Sequence, residues 1–373
     1  MKHYDYLIVG AGLYGATFAR LATDRGKKCL VIDRRKHIGG NLYCKQIEGI
    51  TVHYYGPHIF HTSDKQVWDF VNSITPFTPF INQPLARYRN HLYNLPFNMN
   101  TFHQIWGCFR PEHALSMINQ QRQDALLRMQ SDGVSEPRNL EEQALLLVGR
   151  DIYEILIKGY TEKQWGRPCS ELPAFIIRRL PVRMTYDNNY FDDIYQGIPI
   201  KGYTVFIEKL LEGVDCELNV DFFADRSYLE SKADKIVYTG PIDQFFDYSE
   251  GTLMWRTLKF NHEVMCTSNY QGNAIINYTE ACVPFTRIIE HKHFLRCVPT
   301  IAHDKTVVTF EYPANYVGKD PYYPINDEHN MQIYESYQKL AASEPNVHFG
   351  GRLAEYKYYD MDDVVAKVLQ LFQ

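Results

Sequence analysis

A glycine-rich turn between two apolar segments is the feature that most constrains the fold of this chain. Gly10, Gly12 and Gly15 follow the apolar run 6–9 and open a helical pattern, and a second apolar run then ends at Asp33. The first two glycines permit a tight turn and a close approach to a pyrophosphate, and the third lets the helix pack on the strand. An acid at the end of the second strand can accept ribose hydroxyls. The spacing therefore predicts a Rossmann-type dinucleotide-binding unit.

The residues after Asp33 favour FAD over a nicotinamide cofactor. A basic residue, Arg34, is followed by the pair Gly39-Gly40 and by Asn41. This order resembles the extended sequence of FAD oxidases and their relatives, in which the glycine pair lets the backbone approach the cofactor. The alternative is an ordinary basic surface turn. The sequence contains no second Gly-x-Gly-x-x-Gly, so no separate nicotinamide domain is indicated.

Charge and cysteine usage exclude several classes of protein. The net charge is −5, and no block of five basic residues occurs, which argues against a nucleic-acid partner. The 8 cysteines form no Cys-x-x-Cys pair, so neither a metal site nor a dithiol redox motif is predicted. No apolar run approaches the roughly 18 residues of a membrane-spanning helix. We therefore expect no membrane insertion and a cytoplasmic location.

The pattern along the chain predicts an interrupted α/β fold. Residues 112–130 and 140–158 have helical spacing, whereas residues 251–312 alternate in the manner of antiparallel strands. The fold class predicted is α/β, with a Rossmann-like FAD-binding domain, a helical insertion and an antiparallel β-sheet domain. The predicted domains are an FAD-binding domain (1–75, 200–248 and 345–373), a helical domain (98–170) and an antiparallel sheet or substrate domain (76–97, 171–199 and 249–344), with a mobile loop near 167–183.

Arginines and tyrosines cluster in an irregular part of the chain. Residues 178–183 contain three arginines, and residues 186–191 contain two tyrosines. Because the guanidinium fork matches phosphate oxygens, this segment is typical of a loop that clamps an anionic ligand. The 28 tyrosines of the chain suit a cleft that stacks rings and binds phosphates or sugars, although a tyrosine-rich core is the alternative.

Ten short motifs together resemble one family, the UDP-galactopyranose mutases, from one end of the chain to the other. Besides the glycine-rich turn, they are residues 38–41, 55–62, 158–166, 171–174, 181–183, 187–191, 286–288, 321–324, 351–353 and 356–362. The resemblance implies interconversion of UDP-galactopyranose and UDP-galactofuranose, with N5 of reduced FAD as the nucleophile at the anomeric carbon. The alternatives are a mutase for an N-acetylated or deoxy nucleotide sugar, and a flavin oxidase or dehydrogenase on the same fold. A UDP-sugar substrate and a homodimer are also implied.

The resemblance also implies the residues of the site, position by position. Three residues are implied to be catalytic: Arg179 and Arg287 would bind the diphosphate, and His61 would lie beside the flavin. The implied cofactor-binding residues are Gly10, Gly12, Gly15, Asp33, Gly39, Gly40, Asn41, His58, His61, Arg256, Arg352 and Met361. The implied substrate-binding residues are Asn82, Tyr160, Thr161, Trp165, Arg179, Tyr190, Asn277, Arg287, Tyr323, Arg352, Tyr358 and Asp360. One departure is Phe285, which stands where the family has a tyrosine before Thr286-Arg287.

Overall fold

The glycine-rich turn joins a buried strand to a buried helix, as its sequence predicts. In the computed structural model, which describes residues 3–133, 135–177, 180–295 and 304–373, β1 (Tyr4–Val9) leads into α1 (Leu13–Thr23), and β2 (Cys29–Asp33) follows. The two strands pair in parallel. The predicted strand–turn–helix–strand unit is confirmed.

The other elements of the described residues follow in chain order. The strands are β3 (Cys44–Ile47), β4 (Ile50–His53), β5 (Phe60–Thr62), β6 (Phe77–Pro79), β7 (Leu85–Tyr88), β8 (His91–Asn94), β9 (Tyr195–Pro199), β10 (Asp215–Leu218), β11 (Ala233–Tyr238), β12 (Trp255–Met265), β13 (Ile275–Tyr278), β14 (Arg287–Glu290), β15 (Thr306–Asn315), β16 (Tyr323–Pro324) and β17 (Val347–Phe349). The helices are α2 (Lys65–Ile74), α3 (Met99–Trp106), α4 (Pro111–Ser131), α5 (Leu140–Val148), α6 (Arg150–Ile152), α7 (Lys158–Trp165), α8 (Tyr203–Leu210), α9 (Arg226–Glu230), α10 (Ile242–Phe245), α11 (Glu328–Ala341) and α12 (Met361–Leu371).

The dinucleotide-binding unit is a parallel sheet with the strand order β10–β2–β1–β11–β17. Apolar side chains cover both faces of this sheet, since Ile8 belongs to one buried cluster and Leu7 to another. Burial on both faces explains why its strands read as continuous apolar runs rather than as alternating ones. The carboxyl ends of β1 and β2 lie side by side, and a ligand binds beyond such ends in sheets of this kind.

A second, seven-stranded sheet has the order β16–β12–β15–β14–β13–β7–β8. It is antiparallel except where β13 pairs with β7. The register places Arg287 opposite Glu311 on β15 and opposite Asn277 on β13. The two sheets and the α/β architecture agree with the predicted fold class.

A small sheet, β5–β9–β6, joins segments that the sequence assigns to different domains. Strand β5 comes from the predicted FAD-binding part and β9 from the predicted substrate part, and the two pair antiparallel. The boundaries of the three predicted domains therefore stay a prediction.

The helical insertion contains the two predicted helices, but the second one is interrupted. Helix α5 ends before Gly149, which has a φ of 81°. Helix α6 and a π-helical turn, Tyr153–Ile157, then lead into α7. The prediction of one helix over residues 140–158 is wrong, because the left-handed backbone of Gly149 ends the regular hydrogen-bonding pattern.

Candidate active site

At Gly10 and Gly15 the glycine-rich turn approaches its surroundings too closely for side chains. Gly10 has a φ of 115°, and a Cβ on Gly15 would lie 2.1 Å from the Gly10 carbonyl oxygen. Helix α1 begins with Gly12 as its N-cap, and no side chain caps its first N–H groups. Such uncapped N–H groups, at the positive end of the helix dipole, are suited to a pyrophosphate.

The second glycine pair lies against the first turn. The Gly39 N–H donates to the Ala11 carbonyl at 2.8 Å, and a Cβ on Gly40 would lie 3.2 Å from the Gly12 Cα atom. The Asp33 carboxylate joins this arrangement, because Oδ2 accepts from the Ala11 N–H at 2.8 Å. The two glycine turns and the carboxylate thus form one wall.

That wall borders a cavity, which is lined by most of the residues implied for the cofactor. Its lining includes Gly10, Gly12, Asp33, Gly39, Gly40, Asn41, His58, Arg352 and Met361. A glycine-lined turn, an uncapped helix N-terminus and an acid at a strand end fit the pyrophosphate and ribose of a dinucleotide. Gly15 is not part of the lining and instead packs α1 on its strand, as its Cβ clash requires.

The two histidines of segment 55–62 have different surroundings. His58 lines the cavity, and its backbone N–H donates to Nδ1 of His53 at 3.1 Å. Burial lowers the pKa of His58 to about 3, so its imidazole is neutral. His61 is absent from the cavity lining: its ring stacks on Phe191, and its Nδ1 lies 2.7 Å from Oδ2 of Asp193. Of the two histidines implied for the cofactor, His58 therefore lines this cavity, and the place of His61 beside the flavin stays a prediction.

Arg256 is also absent from the cavity lining. Its Nε donates to the Gln164 carbonyl at 2.9 Å, a second guanidinium nitrogen bonds the Asn315 amide oxygen, and Gly166 packs against it. The side chain is 7% exposed. Since lysine and arginine side chains satisfy the free carbonyls at helix ends, Arg256 holds the C-terminus of α7.

Arg287, which the resemblance implies for the substrate, forms an ion pair with Glu311. Nε of Arg287 donates to Oε2 of Glu311 at 2.8 Å, and Glu311 is fully buried. The Thr286 hydroxyl donates to the other carboxylate oxygen. Burial acts to lower the pKa of Arg287, but the charge and hydrogen bond of Glu311, together with Tyr160 and Tyr323, raise that pKa on balance. The Arg287 Nη groups hydrogen-bond to no residue within the described ranges. A fixed cation with unused donors is suited to an anion.

Four tyrosines lie close to this ion pair. They are Tyr160, Tyr190, Tyr323 and Tyr358, and each interacts electrostatically with Arg287. The rings of Tyr323 and Tyr358 stack with centroids 5.7 Å apart. Burial raises the pKa of Tyr160 to about 12, against the opposing effect of Arg287. All four pKa values are raised, so the hydroxyls remain protonated at neutral pH and can donate to an anion.

Arg352 connects the cavity to the tyrosines. It lines the cavity, its guanidinium carbon lies 4.7 Å from the centroid of the Tyr358 ring, and it donates to the Tyr322 carbonyl at 2.6 Å. One side chain therefore borders both the glycine-lined cavity and the tyrosine cluster.

The remaining implied residues have varied positions. Asn277 has a buried amide oxygen without a hydrogen-bond partner among the described residues, which suits a ligand donor. Asn82 is buried, and its carbonyl accepts from the Tyr190 N–H at 2.9 Å. Thr161 and Trp165 lie on α7 with Tyr160, and Asp360 is the N-cap of α12. Arg179 lies outside the described residues.

Phe285, which stands where the family has a tyrosine, packs among apolar side chains. Its ring packs at 4.7 Å from that of Tyr278, in an apolar cluster with Ile288. Because successive side chains of a strand point to opposite faces, Ile288 faces away from the side on which Arg287 meets Glu311.

Sequence reasoning missed Glu311. The only signal was an acid within the apolar strand segment 307–311, at a position whose partner depends on the pairing of β14 with β15.

Comparison with known proteins identifies the family. The sequence profile described as UDP-galactopyranose mutase matches residues 155–358, and a profile of NAD(P)-binding Rossmann-like domains matches residues 8–74. The chain belongs to the UDP-galactopyranose mutase family.

Individual relatives agree over nearly the full length. The chain is 40% identical to a probable UDP-galactopyranose mutase of Klebsiella pneumoniae, over 99% of this chain and 94% of that protein. It is 38% identical to the dTDP-fucopyranose mutase of Escherichia coli, over 98% of this chain and 97% of that protein. A crystal structure of reduced UDP-galactopyranose mutase superimposes with a TM-score of 0.74 at 16% identity, covering 99% of this chain and 94% of that one, which shows a common fold.

Among the described residues, no helix is long and apolar enough to cross a membrane, and no group of three or more histidine, cysteine, aspartate or glutamate side chains could hold a metal ion.

Proposed function

We propose that this protein is a flavin-dependent isomerase that interconverts the pyranose and furanose forms of UDP-galactose or a closely related nucleotide sugar. The observation that carries the proposal is the position of Arg352, which borders both the glycine-lined cavity and the tyrosine cluster around Arg287. A cofactor and an anionic substrate would therefore meet at this residue.

The cavity residues suit FAD as the cofactor. The N-terminus of α1 and the two glycine turns would hold the pyrophosphate, and Asp33 would accept the ribose hydroxyls. His58, Arg352 and Met361 would border the flavin end. When bound, reduced FAD would supply N5 as the nucleophile at the anomeric carbon.

The protein's own task would be to hold the nucleoside diphosphate. Arg287, together with Arg179, would bind the diphosphate, and the protonated hydroxyls of Tyr190, Tyr323 and Tyr358 would donate to it. Tyr160 would stack on the base, with Thr161 and Trp165 beside it. Keeping the leaving group in place makes its return to the sugar effectively unimolecular. Asn82, Asn277 and Asp360 would contact the substrate's polar groups.

The proposal covers more than one sugar and more than one base. One relative is a dTDP-fucopyranose mutase, so a deoxy sugar on a thymidine nucleotide is a specific alternative. Both nucleotides carry a diphosphate and a pyrimidine, and a stacking tyrosine accepts either ring. A homodimer and a cytoplasmic location also stay predictions.

The test is turnover with the flavin reduced. The purified protein, reduced with dithionite, is given UDP-galactopyranose or dTDP-fucopyranose, and the furanose product is sought by NMR. We expect furanose from reduced protein only and no net oxidation of the flavin. If the reduced protein forms no furanose from either compound, the mutase proposal is wrong. Reduction of the oxidised flavin by a substrate would instead support an oxidase or dehydrogenase.

Replacing Gly12 by alanine tests the cofactor site separately. A Cβ at Gly12 meets only the Gly40 Cα at 4.0 Å, and its φ of −80° suits alanine, so the variant should fold. We expect FAD affinity to fall at least tenfold, because the methyl group occupies the path of the pyrophosphate. Flavin absorbance per protein measures this. In the Gly15→Ala variant the new methyl group clashes with the Gly10 carbonyl, so this variant, unlike Gly12→Ala, should also lose thermal stability. Unchanged FAD affinity in Gly12→Ala would show that the pyrophosphate lies elsewhere.

A further inference from the structure

Lys163 lies on α7, the helix that carries Tyr160, and it connects this helix to the segment that precedes Arg287. Nζ of Lys163 donates to the Tyr278 carbonyl at 2.7 Å and to the Phe285 carbonyl at 2.9 Å. Tyr278 ends β13, and Phe285 precedes β14 by two residues, so the lysine holds both ends of the connecting segment. Tyr160 lies one helical turn before Lys163 on α7.

Two further contacts bring this helix and the same segment close together. A Cβ on Gly159 would lie 2.3 Å from the Thr279 carbonyl oxygen, so the helix backbone rests on the segment. The Thr279 hydroxyl donates at 2.7 Å to the Ile155 carbonyl, within the π-helical turn. The helix and the segment thus meet at three successive points, from Ile155 to Lys163.

Lys163 donates both of these hydrogen bonds to neutral backbone carbonyls. Lys163 forms no ion pair with a carboxylate in the described ranges, and burial lowers the pKa of its ammonium to about 8. Its nearest bonds therefore fix the position of backbone rather than neutralise a charge. The two carbonyls belong to the segment that leads directly into Arg287.

We propose that Lys163 is a positioning residue that sets the separation between the Tyr160 ring and the Arg287 guanidinium. The inference rests on the proposed function, in which Tyr160 stacks on the base and Arg287 binds the diphosphate of one ligand. A ligand that must reach both groups at once binds best when their separation is fixed beforehand. Lys163 itself touches neither the base nor the diphosphate in this proposal.

The test replaces the lysine with methionine, which keeps the apolar stem and removes the donors. We expect Lys163→Met to weaken UDP binding at least tenfold by calorimetry on the FAD-loaded protein. In turnover, KM should rise by a larger factor than kcat falls. Lys158→Met is the matched control, because Lys158 lies on the same helix and pairs with Glu154 at its surface. That control should bind UDP as the wild type does.

A double-mutant cycle separates positioning from a general electrostatic effect. In a Tyr160→Ala background there is no ring to position, so Lys163→Met should weaken UDP binding much less than in the wild type. Equal losses in both backgrounds would overturn the proposal, as would unchanged UDP affinity in a folded Lys163→Met protein. Lys163→Gln, which keeps one donor, replaces the methionine variant if that one does not retain flavin, and an intermediate loss is then expected. If wild-type protein binds UDP but converts no nucleotide sugar, the proposed function fails, while the calorimetry still decides the role of Lys163.

Discussion

Arg287→Lys is expected to lower kcat by a factor of about 100 to 1000, the cost typical of removing one preorganised donor aimed at charge that develops in the transition state. Nε of Arg287 is held by Glu311, which leaves the Nη groups for a ligand. A lysine has one nitrogen and cannot make both contacts at once. Steady-state turnover of the reduced protein measures the effect.

Two controls make that result specific. Flavin content should not change, since Arg287 does not line the glycine-lined cavity. Arg87→Lys should turn over normally, because Arg87 is an exposed side chain of β7 that stacks on Tyr278. Loss of flavin from Arg287→Lys would place this arginine at the cofactor, and normal turnover would remove it from the diphosphate site.

Glu311→Leu is expected to lower the free energy of unfolding by about 3–5 kcal/mol, because it leaves the Arg287 guanidinium without its buried partner. Glu311 is fully buried, so solvent cannot replace the lost carboxylate. The double variant Arg287→Met/Glu311→Leu should recover most of that stability, since an apolar pair of similar volume replaces an ion pair at little cost. Urea denaturation of the three proteins measures the differences.

Activity should not return with stability. The double variant lacks the cation for the diphosphate, so we expect it to retain flavin and to turn over no substrate. Recovery of turnover would show that the ion pair serves stability alone. If Glu311→Leu is as stable as the wild type, Arg287 is better solvated than its contact with Glu311 indicates.

Features of the fold that depend on neighbouring residues could be predicted from the sequence. Gly10 needs a left-handed backbone and Gly15 a close approach that only glycine permits, so the spacing, together with the strand before it and the helix after it, predicts the unit. The apolar runs before and after it were sufficient for the parallel strands. The helix over residues 140–158 was predicted as continuous because its apolar periodicity is maintained. The left-handed conformation of Gly149 has no effect on that periodicity.

The candidate site depends on pairing between distant segments. Its residues could be named through a family resemblance, but their contacts could not. Arg287 meets Glu311 only because β14 and β15 pair in one register, and a shift by one residue would turn Glu311 to the other face. Likewise, His61 meets Asp193 only because β5 pairs with β9.

The sequence by itself therefore determined the glycine-rich turn, its helix and the acid at Asp33, because local backbone geometry dictates those residues. Tertiary structure alone decided which polar groups meet. The burial of Glu311, the raised pKa values of the tyrosines and the placing of Arg352 between the cavity and the tyrosine cluster all arise from segments far apart in the chain. Strand register and burial set the strength of a charge interaction, and neither can be predicted from neighbouring residues in the sequence.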